Sequence, residues 1–203
     1  MKIIGITGPT GAGKTTALDT LRSFGVEVLD CDAIYHRMLQ QDQALNAALR
    51  SRFPEAYRDG GLDRKALGAL VWQDEQALAE LNRITHSAIL AELERRIADA
   101  RERDVPGVAI DAVALLESGA GDLCGVTVAV TAPEERRIAR IMARDGIDEP
   151  YARARVAAQK DAGWFAARCD HTLNNDSTEA AFREKCHTLF LQLLGDPEET
   201  APL

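Results

Sequence analysis

A chain of 203 residues, 46% hydrophobic and 28% charged, has the make-up of a globular domain and is long enough to bury a core without disulfide or metal staples. Its 32 acidic residues outnumber 24 basic ones, and the net charge of −8 argues against a nucleic-acid backbone or an anionic membrane surface as the main partner. Aromatic residues make up only 5%, too few for a base-stacking platform.

The first predicted element is a strand over Lys2–Thr7, an apolar run that stops too early for the core of a signal peptide. Directly after it comes Gly8-Pro9-Thr10-Gly11-Ala12-Gly13-Lys14-Thr15, followed by Thr16. This matches G-x-x-x-x-G-K-[ST] at every fixed position. Glycines let the backbone turn its N–H groups around a phosphate, the lysine reaches the β- and γ-phosphates, and the threonine hydroxyl is a Mg²⁺ ligand. A helix over residues 14–24 then points its positive end at the same anion. Strand, loop and helix in that order predict a nucleoside triphosphate site, and by themselves leave kinase, GTPase and motor ATPase open.

A second strand over residues 26–29 runs into Asp30-Cys31-Asp32. Carboxylates at the C-terminal edge of an open α/β sheet face the ligand crevice, where one can accept a proton or hold Mg²⁺. Asp is equally suited to cap a helix, so the pair divides between capping and catalysis. Residues 33–104 then read as helical with no strand, including a helix over 74–103 with apolar residues at three-four spacing. A crossover between parallel strands needs only one helix, so this stretch is expected to be a helical insertion.

A third strand over 107–110 ends at Asp111, which is placed either to hold Mg²⁺ or to start a turn. A fourth covers 125–130, and a helix over 133–144 follows, rich in arginine. Arg140 and Arg144 lie four apart on one face, suited to phosphate, although a solvated face is the ordinary use of such residues. A short strand over 171–173, a helix over 177–194 and a frayed polar tail over 195–203 complete the chain. The pattern is that of an α/β doubly wound sheet of five parallel strands. Cys31, Cys124, Cys169 and Cys186 show no C-x-x-C spacing and are expected to be buried, reduced thiols. His36, His86, His171 and His187 show no zinc spacing, and no apolar run reaches the roughly 18 residues of a membrane span.

Taken together, these residues resemble the bacterial dephospho-CoA kinase family over nearly the whole chain. The phosphate loop is followed by Asp30-Cys31-Asp32, similar to D-A-D, and then Arg37. Ile84-Thr85-His86 resembles I-T-H-P, and the run from Asp111 through Leu115 and Leu116 to Glu117 resembles D-x-P-L-L-F-E. Arg140, Arg144 and Gly146 fit R-L-x-x-R-x-G, Arg155 and Gln159 fit R-x-x-x-Q, and Asp170 with Asn175 fits a late A-D-x-x-x-x-N. Ser87, Val113, Phe165 and Cys169 depart from the residues usual there, Phe165 standing where lysine is common.

The resemblance implies a P-loop NTPase-type fold in three parts: a nucleotide-binding core (1–32 and 105–203), a helical substrate domain (33–104) and a lid (about 140–168). It implies ATP-dependent phosphorylation of the ribose 3′-hydroxyl of dephospho-CoA, with Mg²⁺. Asp32, Lys14 and Arg140 are implied as catalytic, with Arg144 joining the loop on ATP. Asp30, Arg37, His86, Asp111, Leu115 and Glu117 are implied for the acceptor, and Thr15 with Asp111 for the metal. A cytoplasmic monomer acting on small molecules, without nucleic acid or membrane, is the corresponding expectation. A guanine-reading N-K-x-D is not supplied by Asn174-Asn175-Asp176.

Overall fold

A computed structural model describes residues 1–58 and 61–195, so all of the expected tail after Gly195 lies outside the described residues. In chain order the first half contains β1 (Lys2–Thr7), α1 (Lys14–Ser23), β2 (Glu27–Asp30), α2 (Cys31–Gln41), α3 (Gln43–Arg52), the short strands β3 (Tyr57–Arg58) and β4 (Gly61–Leu62), α4 (Arg64–Trp72) and α5 (Glu75–Glu102). Then come β5 (Gly107–Asp111), β6 (Val126–Thr131), α6 (Glu134–Asp145), α7 (Glu149–Ala157), α8 (Ala162–Ala166), β7 (His171–Asn174) and α9 (Glu179–Leu194). The chain divides into two compact units, Met1–Leu29 with the residues from Ala98 onward, and Asp30–Ile97.

The first unit is built on a parallel five-stranded sheet in the order β2-β5-β1-β6-β7. The central strand β1 pairs with β5 on one side and β6 on the other, and it is buried from Ile4 to Thr7, in keeping with its apolar stretch from Ile3 to Ile6. Ile4 and Ile6 are fully buried in a cluster with Leu18 and Leu21 of α1 and with Phe182, Cys186 and Phe190 of α9. Full burial of each such side chain is worth about 1.5–3 kcal/mol. Thus α1, the helix that carries Lys14 at its start, is anchored by its apolar stripe. Because the strands are parallel, Thr7, Asp111, Thr131 and Asn174 all finish at one edge of the sheet.

Strand ends differ slightly from the sequence expectation. β2 takes in Asp30, β5 takes in Asp111 and β7 takes in Asn174. An apolar run stops at the first polar residue, whereas the ladder continues through it, as the pairing of Ile6 with Asp111 shows. The acidic residues therefore belong to the sheet edge itself.

The second unit packs Leu45, Leu49, Phe53, Ala56, Leu67, Val71 and Ala77 into a separate core, against which Leu81, Ile84 and Ala88 of α5 are set as their spacing predicts. It also corrects the expectation of a strand-free insertion: Tyr57 pairs with Leu62 and Arg58 with Gly61 in an antiparallel hairpin. Two-residue strands are too short to show an alternating pattern in sequence. None of the four cysteines is in a disulfide; Cys31 and Cys186 are buried while Cys124 and Cys169 are only partly so, a correction to the expectation for the latter two. Among the described residues, no helix is long and apolar enough to cross a membrane.

Candidate active site

The segment between β1 and α1 can take its shape only with glycine at its hinges. Gly8 has φ of +133°, and a Cβ there would lie 2.1 Å from the carbonyl oxygen of Val130 in β6. Gly13 has φ of +108°, and a Cβ would lie 2.2 Å from Asn175 Nδ2. Gly13 is also the N-cap of α1 and supplies no side-chain cap, whereas Asp30, Asp42, Asp63, Asp148, Asp161 and Thr178 cap α2, α3, α4, α7, α8 and α9. The positive end of α1 is thus left open to an anion. Lys14 Nζ donates to Gly8 O at 3.0 Å, folded back over its own loop, and Thr15 is exposed while Thr16 is half-buried.

The outer side of the loop is held by a set of donors. Arg137 Nε donates to Thr10 O at 2.9 Å. Arg140 Nη1 donates to Gly11 O and Ala12 O, both at 3.1 Å. Asn175 Nδ2 also donates to Ala12 O at 2.9 Å, and its Oδ1 accepts from Arg140 Nη2 at 3.1 Å. Three consecutive carbonyls are thereby fixed on donors, the orientation that lets a phosphate loop turn amides toward its ligand. Gln159, between α7 and α8, accepts from Thr10 N at 2.9 Å and donates to Thr10 Oγ1 at 2.9 Å. Its Oε1 also accepts from Arg137 Nη2 at 3.2 Å.

Two of these residues depart from the sequence reading. Arg140 is expected over the transferring phosphate, but both of its Nη atoms are engaged on the carbonyl side of the loop. Its pKa is lowered by burial, with neighbouring Arg136 adding to the effect. Arg137 falls in a run read as a solvated face, yet it is only 4% exposed. Burial lowers its pKa, partly offset by Glu134. The signal available in sequence is its place beside Ile138 and one turn before Ile141, the buried face of α6.

Arg144 is exposed and donates to both oxygens of Asp145 (2.7 and 3.0 Å), and Arg155 joins the same carboxylate at 2.5 Å. The Asp145 pKa is lowered, first by the Arg144 hydrogen bond and then by the charges of both arginines, and that of Arg144 is raised in turn. Asp111 is half-buried, its Oδ1 closed off from solvent, and the following Ala112 N donates to Ile6 O at 3.2 Å. Thr7 Oγ1 donates to Val113 O at 3.1 Å, which ties this segment to the root of the loop. Glu117 is exposed, while Leu115 is fully buried: the Leu115 Cδ2 atom would stand 2.7 Å from a Cβ at Gly5. Leu115 is therefore packing beneath the segment, which corrects its expected contact with an acceptor. Phe165 is likewise core, 1% exposed and edge-on to Trp164 at 5.0 Å.

In the second unit, Asp30 accepts from Ala33 N at 2.9 Å and so caps α2, and Asp32 is exposed in the first turn. Arg37 lies further along α2, exposed, and His86 is half-buried on α5. Asp170 latches two strands by accepting from Thr127 N and Oγ1 at 2.7 and 2.8 Å. Its pKa is lowered chiefly by the Thr127 hydroxyl bond.

A family model described as dephospho-CoA kinase matches residues 2–181. The chain belongs to the dephospho-CoA kinase family. A dephospho-CoA kinase from Geobacter sulfurreducens is 34% identical over 180 residues, covering 88% of this chain and 91% of the relative. One from Anaeromyxobacter dehalogenans is 35% identical over 197 residues, covering 96% and 93%. A crystal structure of a Thermus thermophilus protein superposes with a TM-score of 0.81 at 32% identity, covering 96% of this chain and 98% of that one. A shikimate kinase from Acinetobacter baumannii, at 16% identity and a TM-score of 0.54, shares the fold. The family is one of ATP-using transferases, and its members match here from the root of β1 into α9.

Proposed function

We propose that this chain transfers the γ-phosphoryl group of ATP to the ribose 3′-hydroxyl of dephospho-CoA, giving coenzyme A. Membership of the dephospho-CoA kinase family supports the substrate pair. The observation that carries the chemistry is the loop from Gly8 to Thr15, its carbonyls pinned outward by Arg137, Arg140 and Asn175. Phosphoryl transfer proceeds through a loose transition state, so positioning and charge neutralisation do most of the catalysis. The α1 terminus and Lys14 neutralise the phosphates, Lys14 leaving Gly8 O to do so.

The donor set also fits Mg²⁺. The Thr15 hydroxyl and the Asp111 carboxylate are hard oxygen ligands, and Mg²⁺ is ordinarily held by one or two protein oxygens with phosphate and water. Thr15 and Asp111 would hold the ion, which would supply Lewis-acid stabilisation of the charge developing on the phosphates.

For the acceptor, Asp30 is occupied in capping α2, which leaves exposed Asp32 as the carboxylate of the pair to take the hydroxyl proton. Arg37, His86 and Glu117 are assigned to holding dephospho-CoA, with Arg144 released from Asp145 to meet the nucleotide. The working form is taken to be a cytoplasmic monomer. The deciding experiment is an ADP-release assay over a panel of acceptors. Dephospho-CoA should be the preferred acceptor, and Asp32→Asn should cut kcat by ~10²–10⁴ while ATP still binds. Preference for a nucleoside monophosphate or shikimate would defeat the assignment.

A further inference from the structure

Arg137 is the one arginine on the loop's outer side that is almost wholly buried, at 4% exposure. A guanidinium taken out of water needs strong compensation, normally a carboxylate. Here the acceptors are the Thr10 carbonyl and the Gln159 amide oxygen. Gln159 in turn grips Thr10 twice, through its backbone N–H and its hydroxyl. Each of the three residues thus bonds both others, closing a ring between α6, the α7–α8 connection and the loop. Gln159 also borders a cavity of about 450 Å³ lined by Val113, Ala114, Ala157 and Phe165.

We infer that Arg137 and Gln159 are positioning residues that set the nucleotide affinity of the phosphate loop by clamping Thr10. Thr10 Oγ1 and N are both engaged by Gln159, so the Thr10 side chain serves the clamp. Free Thr10 would let the Gly8–Gly11 half of the loop sample other turns, and ATP would have to order it. The inference rests on the phosphate-loop reading but not on the acceptor's identity, so its test omits any acceptor.

The test is equilibrium titration of the folded variants Gln159→Leu, Thr10→Val and Arg137→Met with ATP. Loss of several part-buried hydrogen bonds should raise the ATP Kd by about tenfold in Gln159→Leu and Arg137→Met, and loss of the single Thr10 Oγ1 bond should raise it less in Thr10→Val. Gln159→Leu combined with Thr10→Val should be little worse than Gln159→Leu alone, because the one bond that Thr10→Val breaks is already lost with the Gln159 amide. Arg137→Lys should not restore affinity, since an ammonium lacks the fork that spans Thr10 O and Gln159 Oε1. A merely structural role would lower Tm and leave Kd alone. An ATP Kd within about twofold of wild type in folded Gln159→Leu overturns the inference, even if Arg137→Met does not fold. Failure of the wild type itself to bind ATP would instead overturn the phosphate-loop reading.

Discussion

The guanidinium of Arg140 is spent on Gly11 O, Ala12 O and Asn175 Oδ1, and this decides what its loss should do. An arginine touching only the transferring phosphoryl group would lower kcat and spare ATP binding. One that braces the loop must affect both, so Arg140→Ala should raise KM for ATP by roughly tenfold along with a fall in kcat. An unchanged ATP KM in steady-state kinetics would return Arg140 to the transition state alone. Lys14→Ala should abolish turnover with little change in Tm, because Lys14 is half-buried and the change removes a charge rather than a buried apolar side chain. The phosphate-loop residues were legible in sequence because their spacing encodes a backbone shape. Arg137 was not, because a buried arginine and a solvated one look alike until α6 is rotated into place.

At the scale of elements, legibility followed length and periodicity. The long α5 and the largely apolar β1 announced themselves, whereas the hairpin of Tyr57–Arg58 with Gly61–Leu62 offered two residues per strand and no pattern. The long helix also carries the clearest pH dependence in the second unit. Glu92 accepts from Arg95 and Arg96, and its pKa is lowered to about 2, chiefly by the Arg95 hydrogen bond. The carboxyl is depressed in the folded state, so its contribution is fully present above the usual 4.5 and is lost as pH falls from there toward 2. Glu92→Gln should therefore lower Tm by about 2–4 °C near pH 7, and the difference should close through that acidic window. A gap between the two proteins that persists unchanged at acid pH in parallel melts would show that the pairing with Arg95 and Arg96 is not its source.

For the whole molecule, a net charge of −8 coexists with a phosphate loop ringed by Lys14, Arg137 and Arg140. The overall charge repels ATP at a distance, so affinity must come from short-range contacts that exist only when β1, α1 and α6 are assembled. A ligand of that kind binds the folded state alone and stabilises it by mass action. At about one hundred times Kd the gain is ~2.7 kcal/mol, which for a chain of this size corresponds to roughly 5–10 °C in Tm. ATP and dephospho-CoA should each produce a shift of that order, and guanosine triphosphate a smaller one, since no N-K-x-D reads a guanine here. Thermal melts with each ligand alone separate the two halves of the functional assignment. A shift with ATP and none with dephospho-CoA would keep the phosphate site and remove the acceptor, and a large shift with a nucleoside monophosphate would name the acceptor class that replaces it.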